Sequence, residues 1–135
     1  KRVMSSAENS FISSTFWSDR IGPAAALKTL EIMKKERSWL KLKNLGNFFK
    51  KNFRSILNKH SISGEIIGTG SLLKFTIEKL DDNSLKKIFA TEMLKERILA
   101  SNVIYLSTAH TKTLLNKYLI AIDKVLLKLK VMKKV

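Results

Sequence analysis

Three consecutive hydroxyl residues are the groups in this sequence whose type and spacing best suit chemistry. Ser13, Ser14 and Thr15 precede a helix start marked by Gly22 and Pro23. Hydroxyls and free backbone N–H groups at the entry to a helix suit a phosphate, because the helix dipole favours an anion there. The same hydroxyls could simply satisfy neighbouring backbone groups. From the residues alone we favour this local role, with phosphate binding as the alternative.

The other polar residues form no recognisable catalytic or metal-binding pattern. Serine, histidine and aspartate are present, but in no nucleophile elbow or triad signature. The two histidines, His60 and His110, are too few for a metal site without an organised set of carboxylates. We expect His60 on the surface at a helix end and His110 holding a loop. Asp81 and Asp82 are interpreted as turn and capping residues, so no catalytic residue or metal ligand is assigned.

Composition indicates an ordinary globular chain. Its 135 residues, 44% hydrophobic and 27% charged, suffice for one domain with a core. The lack of cysteine excludes disulfides, thiolate catalysis and cysteine-based zinc sites, and fits a reducing compartment; we expect a cytoplasmic protein. No apolar run approaches the roughly 20 residues of a membrane span. Residues 1–6 contain no signal-peptide core and the sequence does not begin with methionine, so we expect it to start inside a longer chain.

The formal net charge of +15 comes almost entirely from lysine, with only five arginines. Arginine provides most bidentate recognition of phosphates and bases, so its scarcity argues against nucleic-acid binding. Phe48, Phe49 and Phe53 have the spacing of a helix core and not of a single-strand binding groove. We interpret the charge as a solvated lysine surface. The alternative is a free-standing lysine-rich module that binds nucleic acid or another polyanion.

Hydrophobic periodicity and turn residues predict a mixed layer of helices and strands. The predicted elements begin with an extended segment at 11–16 and helices at 22–33 and 39–59. Two strands follow, the first in the glycine-rich stretch at 60–70 and the second at 73–77. A helix opened by 81–84, a strand at 98–106 and a helix after Thr111 complete the order. Ser38 and Thr111 are the predicted N-caps. The glycine-rich stretch lacks a following helix or P-loop lysine, so we interpret its glycines as strand-edge turns or a bulge. The fold class is α/β (α+β), with helices on a small, mainly antiparallel sheet.

Each predicted helix has an apolar stripe that should face a core. The stripes are Leu27, Leu30 and Met33; Leu42, Leu45, Phe49, Phe53 and Ile56; Leu85, Ile88, Phe89 and Met93; and Leu115, Tyr118, Leu119, Ile122, Leu126 and Leu129.

Residues 13–30, with the sequence SSTFWSDRIGPAAALKTL, resemble the segment after the catalytic lysine in class III pyridoxal-phosphate (PLP) aminotransferases. Within that family they look most like the glutamate-1-semialdehyde aminomutase-like members. Further similarity occurs at residues 89–95, 98–102, 105–111 and 118–125, so the resemblance covers almost the whole chain.

The resemblance implies the carboxyl-terminal part of a homodimeric enzyme that transfers an amino group between small molecules. Residues 1–22 would be the tail end of the large PLP-binding domain, and residues 23–135 the small α/β domain. Thr15 matches the threonine that binds the cofactor phosphate of the neighbouring subunit, and Ser14 matches the small residue before it and could add a contact. The family's Schiff-base lysine, pyridine-nitrogen carboxylate and main phosphate loop would all lie upstream. We therefore predict that this chain alone is inactive.

Two positions depart from the family pattern. The family usually closes the helix near residues 95–97 with a glycine, where this chain has Arg97. After Thr111 the family tends to carry acidic residues in the first helical turn, whereas here Lys112 follows. Neither departure affects Thr15.

Overall fold

The protein is described by a computed structural model that covers Ser5 and residues 19–131. Contacts divide the chain into two compact units, Lys1–Glu36 and Arg37–Val135. The extended segment predicted at residues 11–16 lies outside the described residues. The domain boundary expected after residue 22 stays a prediction.

The described part of the first unit is dominated by one helix, α1 (Ile21–Glu36). The Asp19 Oδ1 atom accepts a hydrogen bond of 2.9 Å from the Ile21 N–H, which satisfies one of the unpaired donors at the helix start. The helix predicted to open at Gly22 and Pro23 is therefore confirmed. No side chain of α1 is buried, and Leu27 in its predicted apolar stripe is 69% exposed.

The second unit packs helices on a small sheet. Its helices are α2 (Ser38–His60), α3 (Asp82–Lys95) and α4 (Lys112–Val131), and its strands are β1 (Gly64–Gly68), β2 (Leu72–Ile77) and β3 (Val103–Tyr105). Both strand pairs are antiparallel, in the order β1-β2-β3. The described chain thus has four helices and a three-stranded antiparallel sheet, which confirms the predicted fold class.

A row of aromatic rings joins the helices to the sheet. Phe53 of α2 lies 4.8 Å from Phe75 of β2, and Phe75 lies 4.9 Å from Phe89 of α3, measured between ring centroids. Such contacts add about 0.5–1.5 kcal/mol beyond the burial of the rings. The predicted stripes of α2, α3 and α4 supply this core: most of their members are buried, and Leu42, Ile56, Ile88 and Tyr118 are partly buried against it.

The connection between β1 and β2 packs closely against α2. A Cβ atom added to Gly46 would lie 2.5 Å from the Gly70 carbonyl oxygen, so neither surface has room for a side chain there. Gly68 has a φ of 109°, in the region that favours glycine. The glycines therefore lie at strand edges, as predicted: Gly64 and Gly68 bound β1, and Gly70 lies between β1 and β2.

Two predicted boundaries are wrong. Ser38 is the first residue of α2 and is buried, while the capping position belongs to Arg37, which has a φ of 49° and makes no side-chain cap. Only Arg37 separates α1 from α2, and its left-handed conformation makes the break that Ser38 was expected to mark. The strand predicted at 98–106 is restricted to Val103–Tyr105, because only these three residues pair with β2 as strand partners.

Among the described helices, none is both long enough and apolar enough to cross a membrane.

Candidate functional site

The predicted phosphate-binding residues, Ser14 and Thr15, lie outside the described residues, as does Ser13. Their roles therefore stay predictions. The described chain resumes at Asp19, whose carboxylate caps α1 two residues later in the chain.

Asp81 caps the start of α3. Its Oδ1 atom accepts hydrogen bonds of 3.0 Å from the backbone N–H groups of Asn83 and Ser84. Bonds from Ser84 and Asn83 to the ionised carboxylate hold the pKa of Asp81 below its usual value. The interpretation of this residue as a cap is confirmed.

The Asp82 carboxylate contacts two lysines and an asparagine. Its Oδ2 atom lies 2.7 Å from Lys86 Nζ, and its Oδ1 atom lies 3.0 Å from Lys74 Nζ and accepts a 2.8 Å bond from Asn102 Nδ2. Donation by Lys86, then Lys74 and Asn102, holds the pKa of Asp82 far below its usual value. Both neighbouring carboxyls thus favour the ionised form, whereas an acid–base pair would need one pKa raised.

His60 is buried, so the prediction that it lies on the surface is wrong. Its Nε2 atom lies 2.7 Å from Asp123 Oδ1, and Lys59 Nζ donates to Asp123 Oδ2 at 2.7 Å. Lys59, followed by His60, lowers the pKa of Asp123 against an opposing effect of burial. No hydroxyl in the described residues hydrogen-bonds to the ring, so the pair joins α2 to α4 without forming a nucleophilic triad.

His110 holds a loop, as predicted. Its Nδ1 atom accepts a 3.0 Å bond from the Ser107 N–H and lies 3.0 Å from the Ser107 Oγ atom. Within residues 19–131, no group of three or more His, Asp or Glu residues could hold a metal ion.

None of the described lysines is buried. A lysine that attacks a carbonyl needs its pKa lowered, for which burial or a nearby cation is required. Lys128 shows the opposite behaviour, because the Glu92 carboxylate 2.8 Å away raises its pKa. Burial therefore singles out none of the described lysines as a residue that could hold PLP covalently.

A large apolar groove lies beside β3, and sequence reasoning missed it. We call it the β3 groove: it has a volume of about 920 Å³ and lies between β3, residues 98–101 and α4. Leu99, Tyr105 and Leu114 line it and are 94%, 73% and 51% exposed. In the sequence, the signal for this groove was that these three apolar residues belong to none of the predicted helix stripes.

No protein-family model matches the sequence, and no curated protein matches it. Solved structures do match. An S-selective transaminase from Arthrobacter sp. with alanine bound superposes with a TM-score of 0.77 and 19% identity, over 100% of this chain and 35% of that chain. The FumI protein from Sphingopyxis sp. MTA144, in its PLP internal aldimine form, gives 0.76 and 20%, over 96% of this chain and 32% of that one.

A further structure, described as a transaminase with PLP bound, gives a TM-score of 0.72 and 16% identity over 92% of this chain and 31% of that chain. The chain thus spans about a third of the length of these structures. At such identities the likeness defines the fold: this is an arrangement of helices and strands that occurs within transaminases.

Proposed function

We propose that this chain is the carboxyl-terminal part of a PLP-dependent class III aminotransferase of the glutamate-1-semialdehyde aminomutase-like type. The complete protein would act as a cytoplasmic homodimer that transfers an amino group between small molecules. The observation that carries the proposal is the match of 100% of this chain to only 35% of a transaminase. The sequence motif at residues 13–30 supports the same assignment independently.

PLP, when bound, supplies the electron sink that amino-group transfer requires. This chain's part would be to position the cofactor through its phosphate. The Thr15 hydroxyl would donate a hydrogen bond to a phosphate oxygen of the cofactor in the neighbouring subunit, and Ser14 could add a second. The second unit would be a scaffold, because the described polar clusters are held in caps and ion pairs.

Comparing the isolated chain with the full-length polypeptide tests this proposal. Each is supplied with PLP, an amino donor and a keto-acid acceptor, and amino-group transfer is measured alongside circular dichroism to check folding. We expect turnover from the full-length protein and none from the folded chain alone. Turnover by the isolated chain, or a full-length protein that is folded and does not bind PLP, would overturn the proposal.

The polyanion-binding alternative is favoured by one observation, the charge of α2. This helix of 23 residues carries six lysines and arginines and no acid, and only Lys59 among them has an ion-pair partner in the described residues. However, Lys50 and Arg54 donate to the carbonyls of Gly68 and Ile66, so they also cover the edge of β1. We therefore rank this function second.

A salt titration separates the two functions. If α2 binds single-stranded DNA through Z phosphates, the logarithm of the affinity should fall with a slope of about −0.7Z against the logarithm of salt. Lys51→Glu, in the middle of the α2 cations, should then weaken binding more than Lys130→Glu near the end of α4. Absence of binding at low salt to both DNA and a second polyanion such as heparin removes this alternative.

A further inference from the structure

The β3 groove is bounded on one side by an unpaired strand edge. Asn102 O accepts a 3.0 Å bond from Phe75 N, and Leu106 N donates a 2.8 Å bond to Ser71 O. Hydrogen-bonded pairs alternate along an antiparallel ladder, so Val103 and Tyr105 direct their N–H and C=O groups away from β2. These groups face the side of β3 that no described strand occupies.

The two edges of the sheet differ in whether side chains cover their backbone carbonyl groups. On β1, Arg54 Nη2 lies 3.5 Å from Ile66 O, and Lys50 Nζ donates to Gly68 O at 2.5 Å. Charged side chains placed in this way blunt a strand edge and discourage further pairing. No side chain of the described residues donates to the Val103 or Tyr105 carbonyl in a comparable way. The β3 edge therefore keeps its capacity to pair.

The residues around the β3 edge are mostly apolar, and one lysine among them has no ion-pair partner in the described residues. Leu99, Tyr105 and Leu114 are each more than half exposed in the groove, and a contiguous exposed apolar patch marks an interaction surface. On the α4 side, Lys124 is paired with Glu96 at 2.6 Å, whereas Lys117 has no ion-pair partner among residues 19–131. A complementary occupant would bring apolar side chains, main-chain donors and acceptors, and a carboxylate.

We propose that the β3 groove binds an extended polypeptide segment that pairs with β3 as a fourth strand and places a carboxylate near Lys117. Its source is the remainder of the transaminase-length polypeptide, an assignment that rests on the proposed function. About two thirds of each matching transaminase lies outside the region this chain covers, so ample chain exists to supply it. A second copy of this chain is disfavoured as the occupant of the groove, because a segment of the same polypeptide is held near the groove at a high effective concentration.

Fusing a probe strand to the carboxyl end of the chain tests the proposal. The probe is a short segment of alternating valine and threonine with one central glutamate, joined through a Gly/Ser linker that gives it an effective concentration on the order of millimolar. Amide hydrogen exchange is followed by NMR. We expect exchange at Val103 and Tyr105 to slow by about tenfold, with little change at Ile104, which already faces β2. A probe with central prolines should give no protection.

The charge of the probe tests the role of Lys117. In the unaltered chain a probe with glutamate should protect better than one with lysine, and Lys117→Glu should reverse this preference. Lys130 is an exposed lysine on the same helix but outside the groove. Lys130→Glu is therefore the matched control and should leave the preference unchanged.

Three results would overturn the proposal. The first is unchanged exchange at Val103 and Tyr105 in a fusion whose core amides, such as Phe89, remain protected. The second is a Lys117→Glu variant that keeps the preference for glutamate. The third is concentration-dependent protection in the unfused chain, which would identify a second copy as the occupant. These measurements need no cofactor, so their failure is distinct from failure of the transaminase assay.

Discussion

Asn102 joins three parts of the second unit through polar contacts. It is fully buried, donates from Nδ2 to the Phe75 carbonyl at 3.2 Å and to Asp82 at 2.8 Å, and accepts a main-chain bond from Phe75. Removing a buried partner leaves the remaining groups unsatisfied, which costs more than the bond itself contributes.

We expect Asn102→Ala to lower the free energy of unfolding by about 1–3 kcal/mol, because the buried Phe75 carbonyl and Asp82 each lose a donor. Urea denaturation measures the change. Asn83→Ala, at an exposed position, is the control and should stay within about 0.5 kcal/mol. If both variants lose similar amounts of unfolding free energy, Asn102 does not link these parts of the second unit.

The sequence revealed residue roles only where both partners are close in the chain. The caps by Asp81 and Thr111 were predicted because each bonds to backbone within three residues. The contact of His60 with Asp123 spans 63 positions, so nothing local indicated that His60 would be buried. Long-range polar contacts of this kind depend on how α2 and α4 pack.

Helix α3 ends at a residue whose type is unusual for its backbone conformation. Arg97 has a φ of 60°, and its N–H donates to Leu94 O at 2.9 Å while Ile98 N donates to Met93 O at 3.0 Å. The helix therefore closes through a left-handed residue, the conformation that the resemblance associated with glycine. A side chain there costs roughly 1–2 kcal/mol.

Replacing Arg97 with glycine should stabilise the protein. Relief of the left-handed strain outweighs the extra flexibility of glycine in the unfolded chain, so we expect a gain of about 0.5–1 kcal/mol in unfolding free energy. Lys87→Gly, at an exposed position inside α3, should instead cost about 1 kcal/mol. Thermal and urea unfolding should show opposite shifts for the two variants; a loss in both would contradict the strain argument.

At the scale of elements, periodicity predicted the helices and β2 well, since their apolar residues face one core. It overestimated the strand before Leu106, because residues 98–101 are apolar without being paired. The exposure of the α1 stripe could not be predicted either. A pattern shows that a face is apolar, but it does not show which part of the protein covers that face.

Acid should destabilise the molecule as a whole. Lysine partners hold the pKa values of Asp82, Glu92 and Asp123 below their usual values of 3.8, 4.5 and 3.8. A carboxyl whose pKa is lower when folded stabilises the fold above its unfolded pKa, and that stabilisation is lost as the pH falls through the folded pKa. The excess of positive charge adds repulsion as the carboxylates are neutralised.

We therefore expect the free energy of unfolding to be roughly constant above about pH 5 and to fall steadily below about pH 4. Urea denaturation across this range measures it. Asp82→Asn should be less stable near neutral pH and should show a shallower fall in acid. A stability that stays constant down to about pH 2 would show that these ion pairs contribute little.

For the whole molecule, the fold class followed from the order of elements, and the transaminase assignment followed from a local motif. No catalytic centre could be predicted, because no lysine of this sequence lies in a motif that matches the reactive lysine of the family it resembles. The proposed contact with the cofactor phosphate depends on the hydroxyls of Ser14 and Thr15, and Thr15 carries the prediction that is specific to it.

The most direct test is the affinity of the full-length protein for PLP when Thr15 is changed to alanine. Loss of a hydrogen bond to a charged phosphate is worth about 1.5–3 kcal/mol, so we expect the Kd to rise by about 10- to 100-fold with the fold intact. Thr15→Ser, which keeps the hydroxyl, and Ser18→Ala, three residues later, should bind nearly as well as the unaltered protein. Titration of the absorbance of bound PLP gives the Kd for each. A Thr15→Ala protein that binds PLP as tightly as the Ser18→Ala control would contradict the account.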